Sequence, residues 1–252
     1  MPSSKQQMLV EIPFQQTVME PKVRILYTGV PRIDSFSGGF QSSKITLIDS
    51  EHPFSSDMVS MLCVGSIKDF WGNVVFVDGG NSIDLYTIAS LSKRAGLKPD
   101  DVLSKIKVAR AFTAYQLDSI ISDRLEEVIC EYEPSLLVIS CVTDLLMDRN
   151  VREIEARTIL KRSLSIIGDI TREHNLITIL TNRMKLSTHR ASSLNDILYD
   201  GVDAIIKING KKKGIELYLV NRDLVMQYLP VSIHQTTLDE FFDFEFDSDR
   251  RC

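Results

Sequence analysis

Eight residues, Ser50-Glu51-His52-Pro53-Phe54-Ser55-Ser56-Asp57, stand where an early apolar strand gives way to a helix. At such a junction a phosphate loop, G-x-x-x-x-G-K-[ST], does its chemistry. Its glycines turn backbone N–H groups inward as an anion nest, its lysine neutralises phosphate, and its hydroxyl holds Mg²⁺. In this chain the glycine positions are Ser50 and Ser55, the lysine position is Ser56, and the hydroxyl position is Asp57. Serine is strained wherever the loop needs a positive φ. Pro53 removes one donor. Asp57 aims a carboxylate at the place of the phosphates, and two like charges about 4 Å apart cost roughly 4 kcal/mol at an effective dielectric near 20. The reading is a site that has lost its ATP chemistry, with neither a nucleotide cofactor nor a metal expected.

The elements around this junction alternate. Apolar strands are expected at 44–49, 73–78, 135–140 and 176–181, and further strands at the segment KIKVARAF, at 203–208, 214–220 and 224–229. Between them fall helical spacings: 57–70, a helix stopped by Gly96, an amphipathic segment from Thr113 to Tyr132, and a long helix ending near His174. Residues 28–40 read as turns around the paired Gly38 and Gly39. Asn209-Gly210 is expected to open a hairpin turn. This succession predicts one α/β domain over 24–230: a twisted, mostly parallel sheet flanked by helices, closed by a C-terminal antiparallel hairpin. Residues 1–23 form an N-terminal arm and residues 231–252 an acidic tail.

Composition narrows the classes. An apolar fraction of 44 % and a charged fraction of 25 % are those of an ordinary globular protein, and no apolar run is long enough to span a membrane. No secretory signal is visible at the N-terminus, so a cytoplasmic protein is expected. Cys63, Cys130 and Cys141 lie in apolar segments and read as buried thiols, and the four histidines are dispersed. Both features argue against a metal site. Between Leu238 and Cys252 six carboxylates and two arginines carry −4 of the chain's net −5, so the rest is near neutral and unlike a globally basic nucleic-acid binder.

Three stretches together carry a family resemblance. YTGVPRIDSFSGGFQSSKITLI, DVLSKIKVARAFTAYQ and EARTILKRSLSIIGDITREHNLITILTNRM occur in the order and spacing of the RecA/RadA recombinase family and its archaeal paralogs, over roughly residues 25–230. The chain resembles that family's core without its helix-hairpin-helix domain. The resemblance implies a RecA-like fold and a role in DNA replication, recombination or repair, close to the archaeal nucleoid or, in a eukaryote, in the nucleus. It also implies that Ser140 stands where the family's central strand ends in a Mg²⁺-organising aspartate. Glu51 stands where a catalytic glutamate is common, but a base without bound phosphate has nothing to activate. The family's second DNA-binding loop corresponds to RMKLSTHRASSLND, which is short. Arg183, Lys185 and Arg190 are left as its candidate phosphate contacts, for weak single-stranded DNA binding at most. FQQT (Phe14–Thr17) resembles the family's F-x-x-A self-association motif, with threonine in place of alanine.

The sharpest motif is QTTLDEFF, Gln235–Phe242. It meets the consensus Q-x-x-[ILM]-x-x-[FY]-[FY] at every position and resembles the peptides that bind the sliding clamp PCNA. Leu238, Phe241 and Phe242 fall at i, i+3 and i+4, so one helical turn presents all three on one face. Gln235 would hydrogen-bond separately. The expectation is a non-catalytic RecA-family accessory protein tethered to PCNA, with a RecA-like recombinase or other repair protein as further partner. An ATPase with an unusual nucleotide site and a purely structural subunit are the alternatives.

Overall fold

The computed structural model describes residues 23–183 and 188–230. The N-terminal arm with its FQQT motif, Lys185 and the tail with the clamp motif lie outside the described residues. In chain order the elements are β1 (Ile25–Leu26), α1 (Pro31–Ser37), β2 (Phe40–Gln41), β3 (Lys44–Asp49), α2 (Phe54–Phe70), β4 (Asn73–Asp78), α3 (Leu85–Arg94), α4 (Pro99–Ser104) and β5 (Ile106–Arg110). Then come α5 (Ala114–Ser119), a π-turn at Ile120–Arg124, α6 (Leu125–Tyr132), β6 (Pro134–Ser140), α7 (Glu153–Glu173), β7 (Ile177–Asn182), α8 (His189–Asp200), β8 (Ala204–Gly210), β9 (Ile215–Leu219) and β10 (Leu224–Tyr228).

Eight strands form one sheet in the order β10-β9-β8-β3-β7-β6-β4-β5. From β8 to β5 every pairing is parallel, and β8-β9-β10 are antiparallel, as expected for the C-terminal end. The central strands are apolar on both faces because helices cover both. Ile45, Leu47, Val75, Val77, Leu137 and Ile139 point into a core shared with α5 to α8. Their alternates Ile48, Val74, Phe76, Leu136 and Val138 point into a second core shared with α1 to α4. This period-two split is what a strand's geometry imposes on a continuous apolar run. Register brings the last residues of neighbouring strands level: Asp49 opposite Asn182 and Lys207, and Asp78 opposite Ser140.

Several local expectations are corrected. The turn-rich segment at 28–40 contains α1, started by Pro31 at a position where proline is preorganised and closed at the left-handed Gly38. Gly39 (φ 77°) is held there because a Cβ would stand 2.5 Å from Ile25 Cγ2. Helix α2 begins at Phe54, earlier than the apolar spacing alone suggested. The amphipathic segment is broken by its π-turn, yet Leu117, Ile121, Leu125 and Ile129 still line one buried stripe, with Ile120 and Val128 partly buried beside it. Cys130 is exposed, because it follows Ile129 on the helix and so turns off that stripe. Strand β8 runs through Gly210, and the turn falls at Lys211–Gly214, where Lys211 N–H donates to the Gly214 carbonyl at 3.0 Å and Gly214 supplies the positive φ. Half of the segment read as a second loop is helical: α8 starts at His189, its first turn capped by the Thr188 hydroxyl accepting from Ala191 N–H.

Candidate functional site

In a sheet of this topology ligands are taken up beyond the carboxyl ends of the parallel strands, where the chain order reverses. Here those ends are Asp49, Asp78, Ser140 and Asn182. The turn from β3 to α2 runs over them, and most of its backbone donors have partners within the fold. Ser50 N–H donates to the Asn182 carbonyl at 2.9 Å, Ser55 N–H to the His52 carbonyl at 3.0 Å and Ser56 N–H to the Pro53 carbonyl at 2.9 Å. His52 N–H donates to Ser50 Oγ at 2.9 Å, and Phe54 N–H to His52 Nδ1 at 3.2 Å. The Ser50 hydroxyl in turn donates to the Ile208 carbonyl at 2.7 Å, which ties the turn to β8. Pro53 has no N–H. No residue from Ser50 to Asp57 adopts a positive φ. The strain expected of serines at glycine positions is therefore not incurred, because the turn has a different path and makes no inward-facing nest. Asp57 stands in the first turn of α2, where a carboxylate is favoured by the helix dipole.

The end of β4 is organised around one carboxylate. Asp78 is fully buried. Its Oδ atoms accept from the N–H groups of Gly80 (3.3 Å), Ser82 (2.9 Å) and Ile83 (3.4 Å). Ser140 Oγ donates to it at 2.9 Å, and an Arg110 nitrogen lies at 3.6 Å. Burial pushes the Asp78 pKa up, but the hydrogen bonds from Ser82, Ser140, Gly80 and Ile83 outweigh it and hold the group below the ordinary carboxylate value. Ser140 is thus a hydrogen-bond partner of the neighbouring strand's aspartate. Gly80 is required by close approach, since a Cβ there would meet Cys141 Sγ at 2.4 Å. Burial drives the Cys141 thiol up to about 11, so it stays protonated.

The end of β3 carries a second buried carboxylate. Asp49 accepts from the Tyr199 hydroxyl of α8 and from Asn182 Nδ2 at 3.1 Å. Its pKa is raised by burial, against the opposing hydrogen bonds and the charge of Lys207. Lys207 also lies over the Tyr199 ring, 4.7 Å from its centroid. Between the strand ends, Ser50, Ser55, Ser140 and Arg183 border a cavity of ≈ 30 Å³. That holds a water or two, whereas small-molecule sites occupy hundreds of cubic ångströms. A wider groove of ≈ 580 Å³ lies elsewhere, between α7 and α8.

Two of the candidate DNA contacts, Arg183 and Arg190, have partners within the fold. Arg183 lies 3.5 Å from Asp144 and donates to the Gly80 carbonyl at 3.4 Å. Arg190 donates to the Leu146 carbonyl, and its Nε is buried with no partner among the described residues. The two are on separate elements with separate internal partners. Lys212 and Lys213 are exposed at the β8–β9 turn, and Lys211 pairs with Glu216 at 3.1 Å. His189 Nδ1 lies 3.6 Å from Glu153, and single ligand atoms of Glu126, Glu173 and His174 lie within 4.8 Å of one another on the surface. The sequence reading missed the roles of Asp49 and Asp78. The available signal was an aspartate closing a buried apolar strand in both KITLID and NVVFVD.

The strand order, the two helical layers and the strand-to-helix turn define a RecA-like α/β domain. The Rad51 family model matches residues 20–197, and the chain belongs to the Rad51 family. No curated protein sequence matches the chain. Membership makes this a protein of the RecA-like recombination and repair family. Among the described residues no helix is long and apolar enough to cross a membrane.

Proposed function

We propose that this chain is a Rad51-family accessory protein of DNA replication, recombination or repair that works without ATP. It is held at its place of action by PCNA through Gln235, Leu238, Phe241 and Phe242. The observation that carries the first half is the turn at 50–57. The amides of Ser50, His52, Phe54, Ser55 and Ser56 are engaged by Asn182, Ser50, His52 and Pro53, so a triphosphate would have to displace those bonds to use them. The serine-to-aspartate contact at Ser140–Asp78 supports the same reading, because the position of the Mg²⁺-organising carboxylate is taken by a hydroxyl that serves a structural acceptor. The clamp half rests on the consensus match of QTTLDEFF, a chance event in roughly one chain of this length in a hundred by average residue usage.

Single-stranded DNA is a weak ligand in this reading, since Arg183 and Arg190 already serve internal acceptors. A RecA-like recombinase remains the expected further partner. Titration of a fluorescent ATP analogue with Mg²⁺ tests the first half: no binding is expected, and micromolar binding or a turnover abolished by Glu51→Gln would revive the ATPase. Calorimetry against PCNA tests the second half. Wild type is expected to bind and Phe241→Ala/Phe242→Ala to fail; equal binding by both removes the tether from the proposal.

A further inference from the structure

The groove of ≈ 580 Å³ lies away from the strand ends, with α7 and α8 as its sides and Leu164 and Ile197 in its floor. Each helix leads into a strand that pairs parallel with β3, so the two run the same way. They start level, with His189 Nδ1 3.6 Å from Glu153. They also end level and close, since a Cβ on Gly201 would stand 2.8 Å from Leu164 Cδ1. The groove is therefore a straight trough between two parallel helices.

Its sides carry opposite charge. Arg157 and Lys161 are exposed on α7, and Asp196 and Asp200 are exposed on α8. Each pair is four residues apart, about 6 Å along a helix. Counted back from the contact of Gly201 with Leu164, Lys161 comes level with Leu198, between the two aspartates. Among the described residues no ion pair crosses the groove or engages any of these four, whereas Arg162 and Arg172 on the same helix pair with Asp118 and Asp169.

This layout selects an occupant. The aspartates repel a phosphate backbone or an anionic membrane, and the cations repel a uniformly basic peptide. Two copies of the chain laid groove to groove would meet at their charged rims and enclose the apolar floors without filling them. A third helix fills a trough between two, with apolar residues at i, i+3, i+4 and i+7 reaching the floor. We propose that the α7–α8 groove docks an amphipathic helix of a partner protein, with carboxylates along the flank that meets Arg157 and Lys161 and cations along the flank that meets Asp196 and Asp200. The floor supplies affinity. The exposed charges supply selectivity and set the direction in which the helix lies. Docking here involves neither the turn at 50–57 nor the motif at 235–242.

Fluorescence anisotropy with the full-length protein tests this. The probe is a designed helical peptide with leucines at i, i+3, i+4 and i+7, glutamates along one flank and lysines along the other. Saturable binding is expected, weakened about tenfold or more by Arg157→Glu/Lys161→Glu and by Asp196→Lys/Asp200→Lys. The first variant has two acidic sides and should come to prefer a peptide with lysines on both flanks, which wild type should bind about fivefold more weakly than the mixed one. A variant with all four reversals has opposite sides again and should regain the mixed peptide. The four side chains are exposed, so thermal unfolding should be alike in all these proteins. No saturable binding, or equal binding of the mixed peptide by wild type and the double variants, overturns the proposal. Self-association of the free protein in ultracentrifugation that the double variants abolish assigns the groove to a second copy, and also overturns it.

Discussion

The two carboxylates that close β3 and β4 are chemically identical, both buried, and electrostatically opposite. Asp78 is surrounded by three backbone N–H groups, the hydroxyls of Ser82 and Ser140 and an arginine, all fixed by the Gly79–Ile83 turn and by β5 and β6. Asp49 has two side-chain donors, Tyr199 and Asn182, and the charge of Lys207. Asn182 is itself shared, since its Nδ2 also reaches Asn195 Oδ1 at 3.1 Å. The donors at Asp78 overcome its desolvation and those at Asp49 do not, so the first pKa is lowered and the second raised. A buried carboxylate is stabilised by how many fixed donors face it, and backbone amides of a tight turn are the most fixed of all.

The largest expected effect breaks that comparison at its stronger side. Asp78→Ala strips the acceptor from several buried donors and leaves Arg110 unopposed. Urea unfolding should show a loss of about 3–5 kcal/mol. Asp49→Asn removes a poorly compensated charge while keeping an acceptor for Tyr199, and should change stability by about 1 kcal/mol or less. Equal losses in the two variants would show that burial alone, and not donor count, governs these positions.

Acid titration sharpens the same contrast. The lowered Asp78 pKa contributes stability that is present above the unfolded value of about 3.9 and is lost as pH falls through the folded value below it. The raised Asp49 pKa has the opposite sign: its contribution favours the fold at low pH and is lost as pH rises from about 3.9 through the higher folded value. The difference between Asp49→Asn and wild type should therefore shift in favour of the variant as pH rises through that window. Unfolding midpoints measured from pH 3 to pH 7 check it, and a pH-independent difference contradicts it.

A smaller effect is expected at the β3–α2 turn. Ser50→Ala removes the bond to the Ile208 carbonyl and the acceptor for His52 N–H, for a loss of about 1–2 kcal/mol by urea unfolding. The smallest effect falls on the exposed turn: Lys212→Glu/Lys213→Glu should leave stability within about 0.5 kcal/mol. Thermal unfolding that drops by several degrees would reveal a tertiary contact at that turn.

Much of this was legible in the residues. The buried central strands announced themselves as apolar runs, because a sheet covered on both faces has no polar side to alternate. The family was legible in the order of three segments, and the Rad51 match over residues 20–197 agrees. That Ser50–Asp57 lacks the glycines and the lysine of a phosphate loop was equally visible, since a phosphate loop requires them for reasons intrinsic to those residue types. What the residues did not disclose was the path of the turn. Serine at glycine positions predicted strain, and the backbone avoided it by leaving the left-handed region altogether. Arg183 and Arg190 read as candidate phosphate contacts, and nothing local reveals that Gly80, Asp144 and Leu146 would be their partners from other elements. Local order thus follows from composition and periodicity, which act over a few residues. The ionisation of Asp49 and Asp78, the occupants of the loop's amides and the orientation of those arginines follow from donors brought together across the sheet, and only tertiary register sets those.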